Sequence, residues 1–166
     1  MPEKETLERA RRDKREGKSP STQAGEFIRE EIHHIREGKH GAASTKQAIA
    51  IGLSKARRAG VKLPPPKRGT ASKRTVKEAR NASKAGAKRT KKRPSRARSR
   101  ASLRRLRRQG RSAASPQALA RHARAVARSR TAAQRRASAR KAVRTKGPRA
   151  RSAAARKAAR TRARRA

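Results

Sequence analysis

From Lys67 to Ala166 the chain carries 38 Lys or Arg against a single acidic residue, Glu78, a charge of +37 over that stretch. Like charges at this density oppose collapse, and the stretch offers little apolar surface to drive it. The first 66 residues are different, with 15 basic and 9 acidic side chains and only +6 of the total +43. The 166 residues include one Phe and no Trp or Tyr, and the 31% hydrophobic content is mostly alanine. Burial of so little apolar surface does not offset the entropy lost on ordering. The expected fold is therefore mostly α and disordered: a small N-terminal helical hairpin followed by a long basic tail, disordered or conditionally helical. Four segments follow: a charged N-terminal arm at 1–18, a helical hairpin cassette at 19–66, a Lys/Arg linker at 67–94 and an Arg/Ala-rich tail at 95–166.

Two helices are predicted in the cassette. Ser19-Pro20 supplies an N-cap and a proline at the first helical position, where its missing N–H is harmless. Ala24, Phe27, Ile28, Ile32 and Ile35 then recur at spacings of three and four, and Gly38 marks the stop. Ser44-Thr45-Lys46-Gln47 reads as a capping box opening a second helix, with Ile49, Gly52, Leu53 and Ala56 along one face and Gly60 as its end. These readings place helix near 20–37 and 44–59, closed by Pro64-Pro65-Pro66. A hairpin of this size has a very small core; the two apolar stripes are read as that shared core, with a self-association face at Ile49 and Leu53, giving a homodimer, as the alternative.

The run Ser44-Thr45-Lys46-Gln47-Ala48-Ile49-Ala50-Ile51-Gly52-Leu53-Ser54-Lys55-Ala56-Arg57-Arg58-Ala59-Gly60 resembles the signature of a family of small basic bacterial proteins of unknown function. Members often join it to an Arg/Ala/Ser-rich tail, and some carry the label of plasmid stabilisation protein. The tail is similar in composition to the arms of linker-histone-like nucleoid proteins. The resemblance implies a bacterial, helical cassette and no established activity.

Downstream, Thr75-Val76-Lys77-Glu78 is a cap for one short helix ending near Gly86. From Ser95 onward 23 of 72 residues are Arg and 22 are Ala, against three Lys. Arginine's planar fork of donors suits phosphate oxygens. Gly110, Pro116 and Gly147-Pro148 punctuate this tail. A single helical projection from Ser115 to about Lys146 gathers Arg121, Arg124, Arg128 and Arg135 on one side and Leu119, Ala123, Val126, Ala133 and Ala137 opposite. Repulsion at i, i+4 opposes strong intrinsic propensity. The free tail is thus predicted to be coil that becomes helical on phosphate.

The expected function is nucleic-acid binding without sequence specificity, foremost compaction of DNA as a histone-like nucleoid-associated protein in the cytoplasm. The residues assigned to phosphate are Lys91, Lys92, Arg93, Arg96, Arg98, Arg100, Arg104, Arg105, Arg107 and Arg108, then Arg121, Arg124 and Arg128, then Arg135, Arg136, Arg140, Arg144, Arg156, Arg160 and Arg164. RNA or ribosome association is one alternative, and activity on anionic membranes is another. Want of aromatics argues against single-strand stacking, and an alanine face inserts poorly into lipid. No cysteine is present, so thiolate metal sites and a cysteine nucleophile are excluded. No apolar run approaches the roughly 20 residues of a membrane span, and residues 1–18 lack the apolar core of a signal peptide. His33, His34, His40 and His122 are read as solvated rather than metal-bound, and Glu30, Glu31 and Glu37 as an exposed helix face rather than paired catalytic acids. Neither an enzyme nor a cofactor is expected.

Overall fold

Side chains that occupy the free amides of a first turn set where the helices begin. Ser44 Oγ accepts from the Gln47 amide at 3.2 Å, and Gln47 Oε1 accepts from the Ala43 amide at 3.1 Å, one residue beyond the ideal reciprocal box. Thr131 and Gln134 form the full box, with the Gln134 amide donating to Thr131 Oγ1 at 3.2 Å and the Thr131 amide to Gln134 Oε1 at 3.0 Å. The structure, a computed structural model, describes residues 2–67, 69–87 and 95–164. Its elements are α1 (Lys4–Arg15), α2 (Pro20–Arg36), α3 (Thr45–Arg58), α4 (Lys73–Ala87), α5 (Arg96–Arg107), a 3-10 turn (Ser112–Ala114), α6 (Pro116–Ser129) and α7 (Ala132–Ala163). Two units result, Met1–His122 and Ala123–Ala166, divided inside α6.

In the first unit α2 is the central element, packed by α1 and α3, and α4 packs on α3. One cluster joins Phe27 and Ala24 of α2 to Ala10 of α1 and Ala56 of α3, flanked by Leu7, Leu53, Val61 and Leu63. The other joins Ile32 and Ile35 to Ala42, Ala48, Ala113 and Ala114, flanked by Ile28 and Leu119. Small residues permit these approaches. A Cβ on Gly52 would stand 2.7 Å from the Ile28 Cα, and one on Gly41 would stand 1.8 Å from the Gln109 carbonyl oxygen. Gly41 therefore lets the α2–α3 loop lie against the end of α5 and the chain that follows it, where its amide donates to Leu106 O at 3.0 Å and the Ala42 amide to Gly110 O at 3.1 Å.

The expected disordered tail is corrected by this structure. Among the described residues 95–164 the chain is helical in α5, α6 and α7. Repulsion between like charges at i, i+4 is worth only about 0.2–0.5 kcal/mol per pair, while Arg and Ala are both strong helix formers. The caps at Thr131 and at Ser115, whose Oγ accepts from the Ala118 amide at 3.2 Å, also help with nucleation. The hairpin is not self-contained either. The arm at 1–18 is largely α1, and Ala113 and Ala114 supply part of its core from within the supposed tail. The single projection from Ser115 to Lys146 also fails, because the chain leaves the helix at Ser129 and restarts at the Thr131 cap. Arg135 consequently does not continue the face of Arg121, Arg124 and Arg128.

The second unit is simpler. Between Ala123 and Arg164 every residue except Gly147 is exposed. Gly147, at φ 66°, breaks α7, and Pro148 opens the portion that follows. Among the described residues no helix is long and apolar enough to cross a membrane.

Candidate nucleic-acid interface and a buried carboxylate cluster

Helical geometry sorts the arginines into rows. On α5, Arg96, Arg100, Arg104 and Arg107 follow at spacings of four, four and three, so they share a face, and Arg98 and Arg105 lie on the other side. All of these are exposed, as is Arg108 at the C-cap. Arg121, Arg124 and Arg128 form an exposed row on α6. In α7, Arg136, Arg140 and Arg144 form a row before Gly147, with Arg135 off to one side. After the break Arg156, Arg160 and the C-cap Arg164 align with Arg149. Lys91, Lys92 and Arg93 lie outside the described residues.

Other exposed cations on these helices were not singled out in the sequence. Arg149, Arg151 and Arg162 extend the α7 array, and composition alone ranked them no lower than their neighbours. On α4, Lys73, Lys77, Arg80 and Lys84 recur every three or four residues beside a cavity of about 770 Å³ that also borders Val76 and Asn81. That spacing was legible. Not every cation is available, however. Arg36 Nε donates to Ala114 O at 2.9 Å, and Arg57, buried, donates from Nη2 to Pro64 O at 3.0 Å. Burial holds the Arg57 guanidinium below the ordinary arginine range.

Ile49 is half-buried and belongs to neither apolar cluster, whereas Leu53 packs against the Phe27 cluster. The two residues assigned to one self-association face thus have different surroundings.

A second site lies in the first unit. Glu31 is 0% exposed and Glu30 only 3%, which corrects their reading as an exposed face. Glu31 stands four residues after Phe27 and four before Ile35, on their buried stripe, and that spacing was the signal. Lys55 of α3 reaches both carboxylates, its Nζ 2.7 Å from Glu31 Oε2 and 3.2 Å from Glu30 Oε1. Burial would lower the Lys55 pKa, but the adjacent Glu31 and Glu30 carboxylates outweigh it and hold the ammonium above the ordinary lysine range.

Two histidines border the pair. His40 Nε2 lies 3.3 Å from Glu31 Oε1, and His34 Nδ1 lies 4.0 Å from Glu30 Oε1. Their side chains are 12% and 13% exposed, so the solvated reading fails for both, while His33 is exposed and His122 half-buried. Glu3 joins from outside α1, its amide donating to Glu30 Oε2 at 3.2 Å and its carboxylate accepting from His34 Nε2 at 2.8 Å. That hydrogen bond, with another from Lys39, lowers the Glu3 pKa. Glu37 is exposed and pairs with Lys39 at 3.0 Å.

Residues 11–68 match the model of a family of unknown function (DUF6496). No curated protein and no solved structure matches the chain.

Proposed function

We propose that this protein binds duplex nucleic acid, with DNA the favoured form, through the arginine rows of its helices, and compacts it as a histone-like component of the bacterial nucleoid. One observation carries the reading. The described residues 123–164 hold 13 Arg and 3 Lys, no acidic side chain and no buried side chain. These helices bury nothing of their own, so their cations have only solvent counter-ions or an external polyanion as partners. The row Arg149, Arg156, Arg160 and Arg164 spans 15 helical steps, about 22 Å, along which a duplex presents about 13 phosphates. Phe27, the lone member of the Phe, Tyr and Trp class, is 1% exposed, which leaves no such ring for stacking on unpaired bases. Base reading is also disfavoured in an array built of Arg and Ala, because phosphate contacts position a protein without reporting sequence.

The test is the salt dependence of binding by the full chain. Contact with a dozen phosphates gives a log–log slope of about −10 or steeper. Replacing Arg149, Arg156, Arg160 and Arg164 together by Gln lowers that slope by about 3–4, equally on unrelated DNA sequences. A double-stranded RNA competitor separates the two polyanions: preference for RNA moves the reading to transcripts or ribosomes. A shallow slope that the quadruple variant leaves unchanged sinks the proposal.

A further inference from the structure

The orientation of two imidazoles about Glu31 implies more than ion pairing. The His40 Nδ1 hydrogen bond, at 3.2 Å, ends on the Gly41 carbonyl, which can only accept, so Nδ1 carries the proton. In a neutral ring the lone pair is then on Nε2, the atom 3.3 Å from Glu31 Oε1. His34 repeats the arrangement in the other sense. Its Nε2 donates to the Glu3 carboxylate at 2.8 Å, which leaves the Nδ1 lone pair turned toward Glu30, 4.0 Å away. Both rings thus hold their protons outward on oxygen acceptors and their lone pairs inward, as histidine ligands with outer-shell acceptors do. The ring centroids are 6.2 Å apart and the planes stand 86° to each other, so the two nitrogens approach from different directions.

Glu31 supplies the independent observation. It is fully buried, and its carboxylate is met by two cationic or ring nitrogens only, Lys55 Nζ at 2.7 Å from Oε2 and His40 Nε2 at 3.3 Å from Oε1. Two buried carboxylates that share one ammonium are costly to keep charged. Charge leads to the same need, since Glu30 and Glu31 bring two negative charges and Lys55 returns one. One ligand atom each from Glu31, His34 and His40 already lies within 4.8 Å of the others. Ligands of a tetrahedral zinc stand about 3.3 Å apart for bonds of about 2.0–2.1 Å. The Glu31–His40 separation matches that spacing as it stands, and ligation by His34, now within 4.8 Å, requires the ring to move closer. The scaffold on the His40 side is firm, because Gly41 and Ala42 are hydrogen-bonded to Leu106 and Gly110.

We propose that Glu31, His34 and His40 bind a divalent transition metal of the zinc type, with Glu3 and the Gly41 carbonyl as outer-shell acceptors and Lys55 balancing Glu30. Imidazole and carboxylate donors suit zinc and its neighbours in the series. The donor set is of the two-histidine, one-carboxylate kind, which leaves a fourth position open. The proposal does not depend on nucleic-acid binding.

The experiment titrates Zn²⁺, and Co²⁺ as its visible probe, into the full chain stripped of nucleic acid at high salt, in a non-coordinating buffer. The expected result is saturable uptake of one equivalent, a tetrahedral Co²⁺ absorption band, and a rise in Tm with metal concentration. His40→Ala abolishes the band, Glu3→Gln weakens binding about 10–100-fold through the outer shell, and the paired control His33→Ala with His122→Ala binds as the unaltered chain does. Helix content by circular dichroism is recorded for each variant without metal. If His40→Ala loses its helices, the unaltered chain and the control still decide. Absence of a saturable band in the former, or its loss in the latter, overturns the site and leaves Glu31 and His40 as an ion pair with a proton on the ring.

Discussion

Thr45 Oγ1 donates a buried hydrogen bond of 2.7 Å to the carbonyl of Ala113, 68 positions further along the chain. The bond ties the first turn of α3 to the 3-10 turn whose Ala113 and Ala114 complete the cluster around Ile32 and Ile35. The folded first unit therefore needs sequence that composition assigns to the basic tail. Close approach at Gly41 is what permits the attachment.

Gly41→Ala would set a methyl group against the Gln109 carbonyl. Overpacking of this kind costs about 1–3 kcal/mol. The expected outcome is a lower denaturation midpoint, with faster hydrogen exchange at the Gly41 and Ala42 amide positions while α1 stays protected. Unchanged protection at those two amides would refute the attachment.

Lys55→Met removes the cation shared by two buried carboxylates. Breaking a buried pair on one side costs about 3–5 kcal/mol, read as a fall in chemical stability. The pH dependence has a fixed sign. Because the Lys55 pKa is raised in the fold, its contribution is complete below the ordinary value of 10.5 and disappears as pH rises through the elevated one. Glu3, whose carboxyl is depressed by His34 and Lys39, acts at the other end, its contribution vanishing as pH falls through the lowered value. Thermal melts of the unaltered chain should decline at both extremes, and Lys55→Met should lose the alkaline decline.

Thr131→Ala deletes the side-chain acceptor of the α7 capping box at a cost of about 1 kcal/mol. Since α7 buries nothing, no packing conceals the loss. Amide exchange should accelerate through the first turns, near Ala132 to Arg136, without reaching the portion after Gly147. A tail that is already coil before the substitution would show no change and would contradict the helix.

Ile49→Asp tests the self-association face apart from the core. Leu53 contributes to the Phe27 cluster, so its replacement would confound folding with association. With Ile49→Asp the expected outcome is a dimer-to-monomer shift in sedimentation, unaltered single-site affinity for DNA, and loss of bridging in a pelleting assay, because bridging relies on linked valency. A monomeric unaltered chain that still pellets DNA would assign condensation to the arginine rows alone.

The starts of α2 and α3 could be read from Ser19-Pro20 and Ser44-Thr45-Lys46-Gln47, since caps act within one turn and depend on local sequence. Thr131-Ala132-Ala133-Gln134 bears the same signal, which a single projection from Ser115 to Lys146 overrides. Long-range placement was hidden for two reasons. Ala113 and Ala114 are two of many alanines, and nothing local distinguishes those that meet Ile35 from those that meet water. The charge of Glu31 argues for an exposed face, although its position between Phe27 and Ile35 places it inside. In each instance side-chain type outweighs position, and a partner, the buried Thr45 or the half-buried Lys55, reverses the outcome.

The break at Gly147 has a geometric consequence for the proposed interface. An uninterrupted helix of the 32 residues of α7 would be a straight rod of about 48 Å, longer than the 34–36 Å turn of a duplex. A rod of that length is tangent to a curved groove over part of its extent only, and its distal cations point away from the phosphates. Two rods of about 23 Å, hinged at a residue free to take a positive φ, can each follow the local direction of the backbone. The glycine thereby exchanges rigidity for curvature, so that a stiff array of charge would be able to wind with the proposed duplex.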